Sequence, residues 1–208
     1  NRISFLHFDD IVYTNITQDH LDYHLSRVHY RYTKFKLRRY LKPQGTILYN
    51  SDVSYMQELV NLAQHACISI GMQAAHFPLC DVSLSERDLS FRLQGYDFHA
   101  RLLGMVNVYN LAEAIVVVHR LGFSYERLRK DCEKLLPVSG RMEVMEVSGF
   151  TIWIDYAHTA AAVEELLLFA NSVKKGRILT ILGCGGERDR RKRPAMAAKI
   201  GRASCRER

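Results

Sequence analysis

Apolar and polar positions change rhythm twice along the 208 residues. In the first third, short β-rich runs alternate with helical stripes. Ile11, Val12 and Tyr13 form a compact apolar run ending at Thr14-Asn15, which predicts a buried strand and the turn after it. Apolar residues recur at helical spacing over 28–41, and Pro43 with Gly45 predicts the stop. Residues 46–49 predict a second strand, 55–66 a helix and 67–70 a third strand. Strands alternating with helices predict an α/β fold built on a mostly parallel sheet.

The texture then becomes strictly alternating. Val82/Leu84, Leu89/Phe91/Leu93 and Tyr96/Phe98 are interleaved with polar residues and separated by turn signals at 85–88 and Gln94-Gly95, which predicts an antiparallel meander. Two helices follow at 106–121 and 125–135, with Gly122 as a C-cap between them. The stretch Pro137-Val138-Ser139-Gly140 is the best boundary, dividing a domain over 1–138 from one over 139–208. Beyond it the pattern predicts a hairpin (142–147 and 151–154, turn Ser148-Gly149), a helix over 161–173 and a strand over 177–182. That strand runs into Gly183-Cys184-Gly185-Gly186, and a glycine-rich turn after a buried strand belongs at the ligand-binding edge of an α/β sheet. One strand, one helix and the start of another cannot bury a full core, so the chain is read as an internal fragment.

Composition narrows the class without changing this picture. With 48% hydrophobic and 25% charged residues, the chain is neither disordered nor a disulfide miniprotein. The apolar runs are too short to cross a bilayer, and residues 1–10 do not read as a signal peptide. Five scattered cysteines with no CxxC pair predict neither a zinc site nor a disulfide framework, and fit a cytoplasmic protein. The net charge of +7 brings nucleic acid to mind. Residues 187–208, however, hold nine Lys/Arg and three Asp/Glu, so nearly all of the excess sits in a loop and tail, and no nucleic-acid partner is expected.

Three polar clusters lie at strand-to-helix junctions. The first, Thr14-Asn15-Ile16-Thr17-Gln18-Asp19-His20-Leu21-Asp22-Tyr23-His24, gathers imidazoles, carboxylates and hydroxyls, a donor set for a hard cation or a phosphate. The plainer alternative is a capped helix start with Thr17 or Asp19 as N-cap. Lys34, fourteen residues after His20, shares a helical stripe with Tyr30, Leu37 and Leu41, while Val28, Tyr32 and Phe35 form a second stripe that leaves its facing open. The second cluster is Asp155-Tyr156-Ala157-His158-Thr159. The third is Gly183-Cys184-Gly185-Gly186-Glu187-Arg188-Asp189-Arg190, whose glycine amides and arginine forks suit an anion or carboxylate.

In this order and spacing the motifs resemble the Mur ligase family. The residues that carry the resemblance are TNITQDHLDYH (14–24), Lys34, NVYN (107–110), GRME (140–143), DYAHT (155–159) and GCGGERDRRKRP (183–194). The resemblance implies a central ATPase-type domain followed by the start of a Rossmann-like domain. It also implies an ATP-dependent amide ligase that adds the third amino acid to UDP-MurNAc-L-Ala-D-Glu through an acyl phosphate, with ATP and Mg²⁺ as cofactors. The further partner is a diamino acid, meso-diaminopimelate or L-lysine, and the protein is expected to be a monomer. By the same resemblance Lys34 carries a carbamate that binds metal beside His20, and His158 lies near the reacting phosphate. Asn110, Arg141 and Asp155 bind the nucleotide, Arg2 contacts the UDP-sugar peptide, and Arg188 binds the carboxylate of the incoming amino acid.

The chain departs from the family pattern in several places. Ala160-Ala161 follow DYAHT where Pro-Asp is usual, Glu187 replaces Asp and Arg191 replaces Gly. The glycine-rich ATP loop is expected upstream of Asn1, so the 208 residues alone are expected to be inactive. A folylpolyglutamate or cyanophycin synthetase-like ligase, or an inactive Mur-ligase-like binding module, are the alternatives.

Overall fold

The computed structural model describes residues 5–16, 24, 26–184 and 192–203, with backbone alone for the last two. Six strands form one sheet in sequence order: β1 (Phe8–Tyr13), β2 (Leu41–Asn50), β3 (Ala66–Gly71), β4 (Phe77–Leu84), β5 (Leu89–Leu93) and β6 (Tyr96–Ala100). The first four run parallel, and β4, β5 and β6 form the antiparallel meander. Successive side chains of a strand point to opposite faces, so β2 feeds two cores. Leu48 joins Ile70, Phe91, Phe98 and the buried stripe of α3 (Met105–Arg120) and α4 (Tyr125–Cys132). Ile47 and Tyr49 join Tyr13, Phe35 and Met56 beneath α1 (Arg27–Phe35) and α2 (Ser54–Val60).

Parallel neighbours normally need a long crossover. Between β3 and β4 only five residues intervene, and the structure permits this because the two strands overlap at just Ile70↔Phe77 and Gly71↔Pro78. The sheet thus changes from parallel to antiparallel across a short seam, with α3 packed over β2, β3, β4 and β5.

Two expectations fail here. The helix predicted to reach residue 41 ends at Phe35, continues as a 3₁₀ turn (Lys36–Tyr40) and passes directly into β2. Pro43 and Gly45 therefore sit inside a strand, within an irregular stretch where the register slips between Phe8↔Leu41 and Asp10↔Thr46. A bulge tolerates a residue with no ladder N–H, which is why the proline did not mark a helix end.

Residues beyond 140 form the predicted hairpin, β7 (Glu143–Val147) with β8 (Phe150–Ile154), closed at Ser148-Gly149 with φ of 49° and 83°. Positive φ at both central residues is the geometry that matches strand twist, and the Gln94-Gly95 turn of the meander repeats it at 51° and 80°. Helix α5 (Ala160–Val173) starts at an N-cap, Thr159, whose hydroxyl accepts the Ala162 amide at 3.2 Å. It packs on α6 (Lys192–Ala203) through Val163, Leu167 and Met196. The strand predicted over 177–182 does not form: Leu179 is 81% and Ile181 100% exposed. No described strand lies beside this segment to accept its hydrogen bonds, and an apolar run becomes a strand only against a partner. The hairpin mouth joins the sheet through a small core of Leu103, Met142 and Phe169.

Candidate functional site

The first site begins where β1 runs out. Tyr13 is buried, and its hydroxyl donates to the Phe35 carbonyl at 3.1 Å, tying the strand end to the last turn of α1. Burial pushes this phenol up to about 12, so it stays a neutral donor. Three residues on, the Ile16 amide donates to the Tyr55 hydroxyl at 2.8 Å, and the Arg31 guanidinium lies 3.8 Å above the Tyr55 ring. The pinned turn and the helix enclose a cavity of about 210 Å³ lined by Val12, Tyr13, Thr14, Asn15, Ile16, Tyr30, Lys34 and Leu37. The stripe of Lys34 with Tyr30 and Leu37 lines the cavity although Lys34 itself stays exposed, and the second stripe divides, with Val28 and Tyr32 exposed and Phe35 fully buried. The Lys34 ammonium nitrogen sits 5.5 Å from the Tyr30 ring centroid, and His24 meets the same ring edge-on at 5.0 Å. The helix is capped by Ser26, whose hydroxyl accepts the His29 amide at 3.1 Å, and the cap candidates Thr17 and Asp19 lie outside the described residues.

The second site depends on strand pairing. GRME and DYAHT are well apart in sequence, but β7 and β8 pair Glu143 with Ile154 and so set the two motifs side by side at the open end of the hairpin. The Met142 amide donates to Asp155 Oδ2 at 2.9 Å. The Glu143 carboxylate accepts from the Gly140 amide at 2.7 Å and the Ser139 hydroxyl at 2.9 Å, and these bonds hold its carboxyl below the usual range. The turn is tight: Gly140 and Met142 have φ of 71° and 47°. Arg141 is left to project, its guanidinium 4.7 Å above the Tyr156 ring. His158 lies 3.0 Å through Nδ1 from the Tyr156 carbonyl.

The first turn of α3 abuts this mouth. At Gly104 (φ 77°) a Cβ would stand 3.3 Å from Met142 Cε, so the glycine lets the helix start approach the GRME turn. Asn107 donates to the Leu103 carbonyl at 2.8 Å, and Asn110 donates to Asn107 Oδ1 at 3.3 Å. The structure therefore gathers Arg141, Asp155 and His158 at one hairpin end with the helix of Asn110 beside it. Lys34 lines a separate cavity that none of those four residues reaches. Arg2, His20 and Arg188 lie outside the described residues.

Sequence reasoning missed two features. Asp52 accepts from the Met72 amide and the Tyr109 hydroxyl, both at 2.6 Å, which anchors α3 one residue before Asn110. Burial, reinforced by the Asp52 bond, raises the Tyr109 phenol. One turn later Glu113 is only 2% exposed with neither carboxylate oxygen hydrogen-bonded, and burial pushes it up to about 7. A single acidic residue in the apolar face of a predicted helix was the available signal.

Comparison with known proteins places this arrangement. Residues 1–118 match the Mur ligase middle domain, and residues 140–206 match the Mur ligase glutamate ligase domain. The chain belongs to the Mur ligase family. Among similar Mur ligases, a protein of Geobacter sulfurreducens named UDP-N-acetylmuramoyl-L-alanyl-D-glutamate–2,6-diaminopimelate ligase is 36% identical over 221 residues, covering 98% of this chain and 42% of that protein. A protein of the same name from Chlamydia pneumoniae is 34% identical, covering 97% and 43%. A solved structure bearing that name superposes with a TM-score of 0.68 at 28% identity, over 98% of this chain and 44% of the other. The Mur ligase MurF of Thermotoga maritima, solved in complex with ADP, shares the fold at a TM-score of 0.75 and 18% identity, over 96% of this chain and 48% of that one. The chain spans less than half the length of the relatives it matches. Among the described residues no helix is long and apolar enough to cross a membrane.

Proposed function

We propose that this chain is part of an ATP-dependent carbon–nitrogen ligase that adds a third amino acid to UDP-MurNAc-L-Ala-D-Glu in peptidoglycan synthesis. The observation that carries the reading is the 36% identity, running through both matched domains, to a ligase named for that dipeptide and 2,6-diaminopimelate. In the reaction the D-glutamate carboxylate attacks the γ-phosphorus of ATP to give an acyl phosphate and ADP. The amine of the incoming amino acid then attacks the acyl carbon, loses a proton and expels phosphate.

The division follows the sequence boundary, with the central domain over 1–138 and the C-terminal domain over 139–208. Asn110, on the helix whose start packs against Met142, and Arg141, the neighbour of that methionine, are suited to hold the base and ribose of the nucleotide. Asp155 fixes the GRME turn through the Met142 amide and so sets the direction of Arg141. His158, held by the Tyr156 carbonyl, is placed to donate to phosphate oxygens. Arg2 and Arg188 are assigned to the anionic substrate groups.

The residues around Lys34 fit Mg²⁺ in kind. Thr14 and Asn15 bring oxygen donors to the cavity wall, and a carbamate on Lys34 would bring another, with His20 as the further ligand. When bound, the ion neutralises charge on the transferring phosphate.

The test is ligation by the full-length protein, followed as phosphate release with UDP-MurNAc-L-Ala-D-Glu, ATP and either meso-diaminopimelate or L-lysine. Turnover is expected with one of the two amino acids, and Lys34→Ala is expected to lower kcat by about a hundredfold or more. Turnover with a folate or an arginine–aspartate polymer, and none with the muramoyl dipeptide, overturns the reading.

A further inference from the structure

The charge excess first located in the C-terminal tail has a second source. Between residues 24 and 51 there are seven Lys/Arg and no Asp/Glu. Outside this stretch and 187–208, the chain holds nineteen Asp/Glu against thirteen Lys/Arg. A basic belt is therefore set against an acidic remainder, and the whole-chain sum conceals both.

The fold concentrates this belt on α1 and the 3₁₀ turn. Arg27, Lys36 and Arg39 are exposed and Arg31 and Arg38 are half-buried, while Lys34 is set aside as the residue assigned to the carbamate and Lys42 pairs with Asp9. None of these five, Arg27, Arg31, Lys36, Arg38 and Arg39, is in an ion pair among the described residues, whereas Arg92, Arg120, Lys134, Lys175 and Lys199 each meet a carboxylate. Arg31 and Arg38 rest instead on the Tyr55 and Phe35 rings, which leaves their charge unneutralised. Helix stability does not call for this arrangement. The first turn of α1 has no acidic residue and begins with Arg27, against the preference of a helix N-terminus for negative charge.

The belt leads to the cavity. Tyr30, Lys34 and Leu37 form the cavity wall, and Arg31 covers the tyrosine that pins Ile16 at its rim. Lys36 and Arg39 stand on the solvent side of the same elements. We propose that α1 and the 3₁₀ turn are a receiving surface that draws a polyanionic substrate, a nucleoside diphosphate linked to a carboxylated peptide, into the cavity at Lys34. This rests on the ligase reading above. The acidic remainder of the chain sharpens the field by repelling the same anion elsewhere, and such fields act on the encounter rate rather than on the chemical step.

The experiment compares the full-length enzyme with the double variant Lys36→Glu/Arg39→Glu, neither residue lining the cavity. kcat and kcat/KM for the muramoyl dipeptide are measured across ionic strength. At low salt kcat/KM is expected to fall about tenfold while kcat stays at the wild-type value. The two enzymes should converge above about 0.5 M salt, where screening shortens the field to a few ångströms. The charge-conserving pair Lys36→Arg/Arg39→Lys should keep the wild-type salt slope. Single variants Lys36→Gln and Arg39→Gln give the same reading in smaller steps if the double variant folds poorly. An equal salt slope in wild type and charge-reversed enzyme overturns the proposal and leaves the ligase reading standing. Absence of turnover by the wild type with any muramoyl dipeptide overturns both.

Discussion

The sheet and the hairpin region are made of similar residues and reach opposite outcomes. In the sheet, alternation puts Phe91, Leu93 and Phe98 against α3 and α4, sealed from solvent. In the hairpin, Met145, Val147, Phe150, Ile152 and Ile154 stay exposed. Carboxylates differ in the same sense. Glu113 is buried on the sheet's helix without a hydrogen bond, whereas Glu143 is only half-buried and accepts two. Pattern alone does not make a core; a facing layer does. A polar group is likewise comfortable or strained according to what surrounds it.

The largest effect should come from removing packing where packing exists. Phe91→Ala is expected to cost about 3–5 kcal/mol, read from the urea midpoint, while Ile152→Ala should stay within about 0.5 kcal/mol. Equal losses at the two sites would erase the contrast.

Glu113 offers the next largest effect, and its sign is fixed by linkage. Its carboxyl lies at about 7 in the fold, above the ordinary 4.5. The neutral acid is tolerated below pH 4.5, and stability is lost as pH rises through 7, approaching about 3 kcal/mol at alkaline pH. Glu113→Gln should flatten that decline in denaturation curves taken between pH 5 and 9. Glu143, whose carboxyl is lowered, works in the other direction: what it contributes is present above 4.5 and fades as pH falls further.

The smallest effect belongs to the hairpin region's best local signal. Thr159→Ala removes the cap from α5 and is expected to cost about 1 kcal/mol, seen as a shift of the thermal midpoint that Thr159→Ser largely restores.

Much of this was legible in the sequence, for reasons that differ by element. The meander and hairpin were readable because alternation and the two-residue turns Gln94-Gly95 and Ser148-Gly149 are local properties. The end of α1 was not, since apolar spacing at 35, 37 and 41 suits an α-helix as well as a 3₁₀ turn leading into a bulged strand. Residues 177–182 carry the composition of a strand, but pairing is a tertiary fact that composition does not contain. At the site, the position of Thr14-Asn15 after a strand was readable, and so was the stripe that Lys34 shares with Tyr30 and Leu37. The approach of GRME to DYAHT needed the register of β7 on β8. Glu113 and the Asp52–Tyr109 bond were hidden because each depends on which way a helix is turned.

The two-pair overlap of β3 with β4 gives the sheet a line of mechanical weakness. A load that draws the parallel half away from the meander meets little backbone resistance there, and passes instead into α3, the beam lying across the joint. The same beam carries Tyr109 and Asn110, so flexing of the joint would be felt first at the asparagine assigned to the nucleotide.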